Sequence, residues 1–304
     1  MYDLIIVGAG PAGLGASIYA SRYKMSNLII GSEVGGQVVE ASEIENWAGE
    51  KKISGKDLMD KFIDQTKDLG GEIVQAEVNR VVKKEDGNFE VHVSNGEKYE
   101  SKAIILALGM KPRQMNIKGE KELIGKGVSY CATCDAMFFR DKDVAVIGGG
   151  DAAAMAATHL SEFANKVYVI YKEGGLVWNP ARGEEVEGNS KIETHSCNNI
   201  TEIKGEGVVS GLVYDCEEGE SVLDVQGVFV EIGSVPGVAI AQNLGAELDD
   251  QSYIVVDQTQ ATNVEKVYAA GDVTTGSNKF RQIITAVAEG AVAAGSVYRK
   301  LKLK

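Results

Sequence analysis

Short uninterrupted apolar runs, each closed by glycine, recur along the chain and alternate with alanine-rich stretches of helical spacing. The first run, "YDLIIVG", leads through a glycine turn into "PAGLGASIYASRYK", and a second run, "NLIIGS", follows. That order predicts strand, turn, helix and strand. Residues 142 to 172, "KDVAVIGGGDAAAMAATHLSEFANKVYVIYK", repeat the same plan. Between these units the pattern changes to alternation. "GNFEVHVSNGEKYESKAIILALG" reads as a hairpin with Asn95-Gly96 at its turn, and "SGLVYDCEEGESVLDVQGVFVEIG" has the same form. Each ends in an apolar strand and a glycine, Gly109 and Gly233, as two copies of one architecture would, the second with a shorter interior. Near the C-terminus, "VYAAGDVTTG" predicts a strand leading to Gly271-Asp272. "RQIITAVAEGAVAAGSVYRKL" predicts an amphipathic helix after it.

The glycines add chemistry to the pattern. Gly8, Gly10 and Gly13 fit G-x-G-x-x-G after a strand and at the start of a helix, a dinucleotide-binding context. Gly8 permits the tight turn, Gly10 lets a pyrophosphate approach the backbone, and Gly13 lets helix and strand pack. The free N–H groups at the helix start face the phosphates. The acid that binds ribose ordinarily ends the next strand, but Gly31-Ser32 stands there and the nearest acid is Glu33. The following loop has paired glycines, Gly35 and Gly36, with Gln37 and Asn46 able to offer amides to a flat cofactor. Gly148, Gly150 and Ala153 fit the G-x-G-x-x-A form, which either marks a second nucleotide pocket or survives for helix–strand packing alone.

At 304 residues the chain is long enough for one large domain or two ordinary ones. Its formal net charge of −13 makes nucleic acid and anionic membrane surfaces poor partners. The N-terminus has no basic segment or long apolar core of a signal peptide, and no apolar run approaches a membrane span, so a cytoplasmic location is expected. Four cysteines are too few for a disulfide scaffold. Two of them form Cys131-Ala-Thr-Cys134-Asp135, and such a pair can hold zinc, lock a loop or shuttle two electrons.

Taken together, the chain resembles the low-molecular-weight thioredoxin reductases over nearly its whole length. The resemblance rests on Gly8-x-Gly10-x-x-Gly13, Gly35-Gly36-Gln37, Glu45-Asn46-Trp47, Cys131-Ala-Thr-Cys134-Asp135, Gly148-Gly-Gly150, Gly271-Asp272-Val273 and Arg281-Gln282. It implies an α/β fold of two Rossmann-like, three-layer domains, the second inserted in the first. On this basis residues 1–112 and 244–304 form the FAD-binding domain, and 113–243 form the nucleotide-type domain with the cysteines. FAD contacts carried over by position are Gly8, Gly10, Pro11, Ala12, Gly13, Ser32, Glu33, Gly35, Gly36, Gln37, Asn46, Gly109, Gly271, Asp272, Arg281, Gln282 and Ile283. The resemblance also implies a homodimer and thioredoxin as the partner. It makes Cys134 the flavin-facing thiol and Cys131 the exposed thiol that attacks the protein disulfide. Asp135 then moves the proton on or off the leaving sulfur. A helix starting at this motif favours thiolate. A structural zinc site wants four ligands. Cys197 and Cys216 stand alone, and His92, His159 and His195 form no pair, so no metal is expected.

One departure bears on the electron donor. NADPH-dependent members carry an arginine cluster after the second strand of the inserted domain. Here Tyr171-Lys172-Glu173-Gly174-Gly175-Leu176-Val177 stands instead, and Pro180 and Gly183 occupy what is a helix in the family. Arg182 is the one nearby arginine. NADPH as donor is therefore doubtful. The sequence leaves open NADH, with Glu173 on a ribose hydroxyl, or a donor acting directly at FAD, such as ferredoxin or a deazaflavin. Arg299, Lys300, Lys302 and Lys304 offer a basic cluster, more simply a solvated terminal charge run. Two further alternatives are a reductase serving a peroxiredoxin-type partner and a flavin-bearing redox sensor without turnover.

Overall fold

The structure is a computed structural model and describes residues 1–41, 44–197, 199–216 and 219–303. It begins with β1 (Tyr2–Val7), α1 (Pro11–Arg22) and β2 (Asn27–Gly31), followed by α2 (Gly55–Asp68) and β3 (Glu72–Gln75). An antiparallel set, β4 (Val78–Lys83), β5 (Phe89–Val93) and β6 (Lys98–Leu106), leads to the short β7 (Met110–Pro112). Then come β8 (Val128–Ser129), the one-turn α3 (Ala132–Asp135), β9 (Asp143–Ile147), α4 (Asp151–Ser161) and β10 (Lys166–Lys172). After α5 (Pro180–Glu187) and β11 (Ile192–Cys197), an antiparallel trio follows: β12 (Asn199–Gly205), β13 (Val209–Cys216) and β14 (Gly219–Leu223). The chain ends with β15 (Gly227–Val230), β16 (Ser234–Pro236), α6 (Ala239–Asn243), β17 (Val267–Ala269) and α7 (Ile283–Lys302).

Two compact units result: Met1–Lys111 with Val235–Lys304, and Pro112–Ser234. In the first, β3, β2, β1 and β6 lie side by side in parallel, and the last residues of β6 also pair with β17. The early half of β6 pairs with β5 instead, through the turn at Asn95-Gly96, where Gly96 has φ +88°. The Leu4–Val7 run of β1 is apolar throughout because both faces of the sheet are covered there. Leu4 and Ile6 face α1, α2 and α7, while Ile5 and Val7 join Leu28, Ile104 and Phe89 on the other side. The second unit has the parallel order β11-β10-β9-β15-β8, again buried on both faces.

Three details depart from the sequence-based expectation. Residues 235–243 belong to the first unit, not to the inserted one. The fully buried Ala241 of α6 packs with Val81 of β4, which draws that segment into the first core. Pro180 and Gly183 do not abolish a helix. Pro180 takes the first helical position, where its missing N–H costs nothing, and the Asn179 side chain caps the Arg182 N–H at 3.1 Å. The C-terminal basic run is largely paired. Lys300 meets Glu265 at 3.0 Å, Lys302 meets Asp3 at 3.2 Å and Arg299 donates to Ser296 Oγ at 3.1 Å. Lys304 lies outside the described residues. No helix among the described residues is long and apolar enough to cross a membrane.

Candidate active site

The first unit contains a cleft of about 900 Å³ above the β1–α1 turn. Each glycine of that turn has its own cause. Gly8 sits at φ +115°, and a Cβ there would lie 2.0 Å from the Ala107 carbonyl oxygen. A Cβ at Gly13 would lie 1.9 Å from the Gly8 oxygen, so this glycine lets α1 pack on the turn. Gly10 is different. A Cβ there meets nothing closer than Gly36 Cα at 3.8 Å. The protein's own packing leaves Gly10 free to be larger, so its smallness suits a group lying against the backbone from the cleft side. Gly10 also caps α1 with no side-chain partner for the helix N–H groups, which turn toward that space.

Ser32, Glu33, Gly36 and Gln37 form one wall of the cleft, and Gln37 donates to the Met110 carbonyl at 3.3 Å. Gly109 stands on the wall that follows β6, at φ +60°. Gly271, Asp272, Arg281, Gln282 and Ile283 close the side near α7, and Pro11 and Ala12 form the floor. Burial pushes the Asp272 carboxyl up, Arg281 pulls it back and Glu289 pushes it further up. Three residues expected at the cofactor lie behind the lining. Gly13 packs the turn, Gly35 shapes the loop at φ +99°, and Asn46 donates to Gln282 Oε1 at 3.0 Å. The sequence missed Ala107, Leu108 and Pro236–Ile240 on the walls, and the buried Glu289 beneath Gly271. A long cleft with a bare glycine turn at a helix start, an arginine and a carboxylate fits FAD.

In the second unit Cys131 and Cys134 are joined as a disulfide, with Cα atoms 5.4 Å apart. Cys131 is half-buried and caps α3, its Sγ accepting the Cys134 N–H at 3.1 Å. Ser129 holds it from the other side: its Oγ accepts the Cys131 N–H at 3.0 Å and donates to the Cys131 carbonyl at 3.2 Å. Cys134 is exposed, the reverse of the exposures that the resemblance implies, and Asp135 is half-buried. Tyr130, directly before the pair, donates to the fully buried Glu120 at 2.7 Å, and burial and that bond push its phenol up. Cys197 is buried in the core of this unit and Cys216 packs against it.

The second glycine turn repeats the first only in part. Gly148 is at φ +145°, with a Cβ position 2.2 Å from the Glu231 oxygen, so packing requires it. A Cβ at Gly150 would meet nothing within 4 Å, so packing does not account for that glycine. The segment after β10 folds back onto the turn. Val177 donates to the Gly149 carbonyl at 2.8 Å, and the Asn179 N–H reaches Asp151 Oδ1 at 2.6 Å. Arg182 pairs with Glu185 at 2.8 Å.

The family model described as "Pyridine nucleotide-disulphide oxidoreductase" matches residues 2–290. A thioredoxin reductase from Listeria monocytogenes serovar 1/2a is 39% identical over 298 residues, covering 96% of this chain and 92% of that protein. The crystal structure of Lactococcus lactis thioredoxin reductase in its FR conformation superposes with a TM-score of 0.88 at 32% identity, covering 98% of each chain. A ferredoxin-flavin thioredoxin reductase from Clostridium acetobutylicum matches with a TM-score of 0.54 at 32% identity, covering 100% of this chain and 99% of that one. The chain belongs to the pyridine nucleotide-disulphide oxidoreductase family, with its two Rossmann-like domains. Within that family it is an FAD-dependent disulfide oxidoreductase of the low-molecular-weight thioredoxin reductase type.

Proposed function

We propose that the chain reduces the disulfide of a thioredoxin through Cys131 and Cys134, as a cytoplasmic homodimer, and that its electrons do not come from NADPH. The observation that carries the first part is the Cys131–Cys134 disulfide at the start of a helical turn. Bound FAD supplies a carrier of two electrons. Two electrons and two protons convert the Cys131–Cys134 disulfide to a dithiol, and Asp135 stands beside it to move a proton. The Cys134 N–H, already aimed at Cys131 Sγ, stabilises a thiolate on Cys131. That thiolate attacks the thioredoxin disulfide, forming one mixed disulfide and releasing one thioredoxin thiolate. Cys134 then attacks Cys131 Sγ. The second thioredoxin sulfur leaves and the starting disulfide returns.

The donor assignment rests on the segment after β10. Glu173 stands where a phosphate clamp is needed, Val177 is bonded onto the glycine turn, and Arg182 is engaged by Glu185. A low-potential donor acting at FAD, such as a reduced ferredoxin, fits these features. Gly150 favours a second reading, in which NADH lies against the open backbone there, with Glu173 on its ribose. The deciding experiment is anaerobic titration of the purified flavoprotein with NADPH, NADH and reduced ferredoxin, following the flavin absorbance. Thioredoxin turnover is then measured with whichever donor bleaches it. Rapid bleaching by micromolar NADPH overturns the donor assignment. Stoichiometric reduction without turnover overturns the reductase.

A further inference from the structure

Two successive residues of α7 join opposite sides of the FAD cleft. At Gly290 the helix comes so near α1 that a Cβ would lie 2.1 Å from the Ala12 carbonyl oxygen. Beside it, Glu289 turns its carboxylate into the turn that carries Asp272. Oε2 accepts the Gly271 N–H at 2.8 Å and the Thr274 hydroxyl at 3.0 Å. Glu289 is 5% exposed and Thr274 1%. Among the described residues, no lysine or arginine forms an ion pair with Glu289. A carboxylate buried against neutral donors alone is costly, so filling space does not explain it.

The geometry supplies the cause. Both donors belong to the 271–274 turn, and Gly271 is left-handed at φ +83° with its Cβ position 2.9 Å from Ala12 Cβ. The turn is thus wedged between the first turn of α1 and α7. Without Glu289 the Gly271 N–H is buried and without its acceptor, and among the described residues no other α7 side chain is hydrogen-bonded to the turn. We infer that Glu289 is a positioning residue for the cofactor: it fixes the Gly271–Asp272 turn so that the Asp272 carboxylate is held against the hydroxyl groups of FAD. This deepens the assignment of Asp272 as an FAD contact and depends on it.

The test is the FAD dissociation constant, measured by releasing flavin from purified holoenzyme on dilution and ultrafiltration, for wild type, Glu289→Ala, Glu289→Gln and Asp272→Ala. Glu289→Ala should weaken FAD binding at least tenfold. Glu289→Gln keeps an oxygen acceptor for Gly271 and should stay within about threefold of wild type, a rescue that a role in charge alone does not explain. Glu289→Met, of similar size but without that acceptor, should be as weak as Glu289→Ala, which bulk packing does not explain. Thr274→Val removes one donor to Glu289, together with that hydroxyl's bonds to the Gly271 carbonyl and the Gly276 N–H, and leaves the carboxylate. It should weaken binding severalfold and covers the case in which Glu289→Ala does not fold. If Asp272→Ala loses affinity while Glu289→Ala and Thr274→Val do not, the inference is overturned and the Asp272 contact stands. If Asp272→Ala binds FAD as wild type does, the contact fails and the inference with it. A Glu289→Gln variant as weak as Glu289→Ala also overturns it.

Discussion

The backbone N–H of Val177 is bonded to the carbonyl oxygen of Gly149 at 2.8 Å, which closes the segment after β10 over the second glycine turn. The approach is tight enough that a Cβ on Gly149 would lie 2.0 Å from the Gly175 oxygen. That bond ties up a carbonyl oxygen and not the N–H groups at the start of α4, so what a 2′-phosphate lacks here is a free guanidinium: Arg182 is paired with Glu185.

NADPH should therefore reduce the flavin slowly. A charge-assisted contact to phosphate contributes about 1.5–3 kcal/mol, so two missing contacts weaken binding by roughly a hundredfold or more. Stopped-flow reduction with NADPH under anaerobic conditions measures this directly. Arg182→Ala should change the NADPH rate by less than about twofold. A large loss in that variant would show that Arg182 leaves Glu185 to bind the phosphate.

The two cysteines should not be equivalent. Cys131→Ser and Cys134→Ser should each abolish catalytic turnover with thioredoxin. Only the Cys134→Ser protein, which keeps the attacking thiol, should trap a stable mixed disulfide with thioredoxin, visible on a non-reducing gel. Ser129→Ala, which removes the hydroxyl holding the Cys131 N–H and carbonyl, should slow turnover without abolishing it.

Gly8 and Gly10 of the first turn should fail in different ways. Gly10→Val should leave the fold intact and yield colourless protein, because the protein itself leaves room for that side chain. Gly8→Ala forces a left-handed residue against the Ala107 carbonyl and should lower stability by about 2–4 kcal/mol. Urea denaturation separates the two effects. Equal stability loss in both variants would contradict the assigned roles.

Asp3 makes stability depend on acid. Burial pushes its carboxyl up, but bonds from Lys102, Lys302 and the Ser26 N–H outweigh burial and hold it below its ordinary value. A carboxyl depressed in the folded state adds stability that is complete above its unfolded pKa of about 3.9 and is lost as pH falls through the lower folded value. Asp3→Asn should thus be less stable than wild type by about 1–3 kcal/mol at pH 7. The two proteins should converge as pH drops below about 3. A constant difference down to pH 2 would exclude the ion pairs as its source.

Much of this was legible because periodicity and glycine spacing are local. The run Leu4–Val7, the glycines at 8, 10 and 13, and the turn at Asn95-Gly96 each announce their element within a few residues. What was not legible depends on contacts distant in sequence. Residues 235–243 carry no composition signal, and only the packing of Ala241 beside Val81 assigns them to the first unit. Pro180 reads as a breaker until Asn179 is seen capping the helix behind it. Glu289 sits in an alanine-rich helix where a charge usually marks the solvent face, and only the Gly271 turn reveals that it is buried. Gly13 and Gly10 look alike in a motif, yet one faces the Gly8 carbonyl and the other open space.

The short strands β7 and β16 have a consequence for how such a chain closes. Gly237 donates to Gly109 at 3.2 Å and Arg113 to Gly233 at 3.0 Å, so the chain leaves the first unit and re-enters it at neighbouring points. The detour through Pro112–Ser234 returns to the place where it began. Loop-closure entropy grows only with the logarithm of loop length, so an excursion of this size costs little more than a modest loop once those strands are paired. The first unit can therefore tolerate changes of length within the detour far better than changes at Gly109 or Gly237, where the two ends of its own sequence are stitched together.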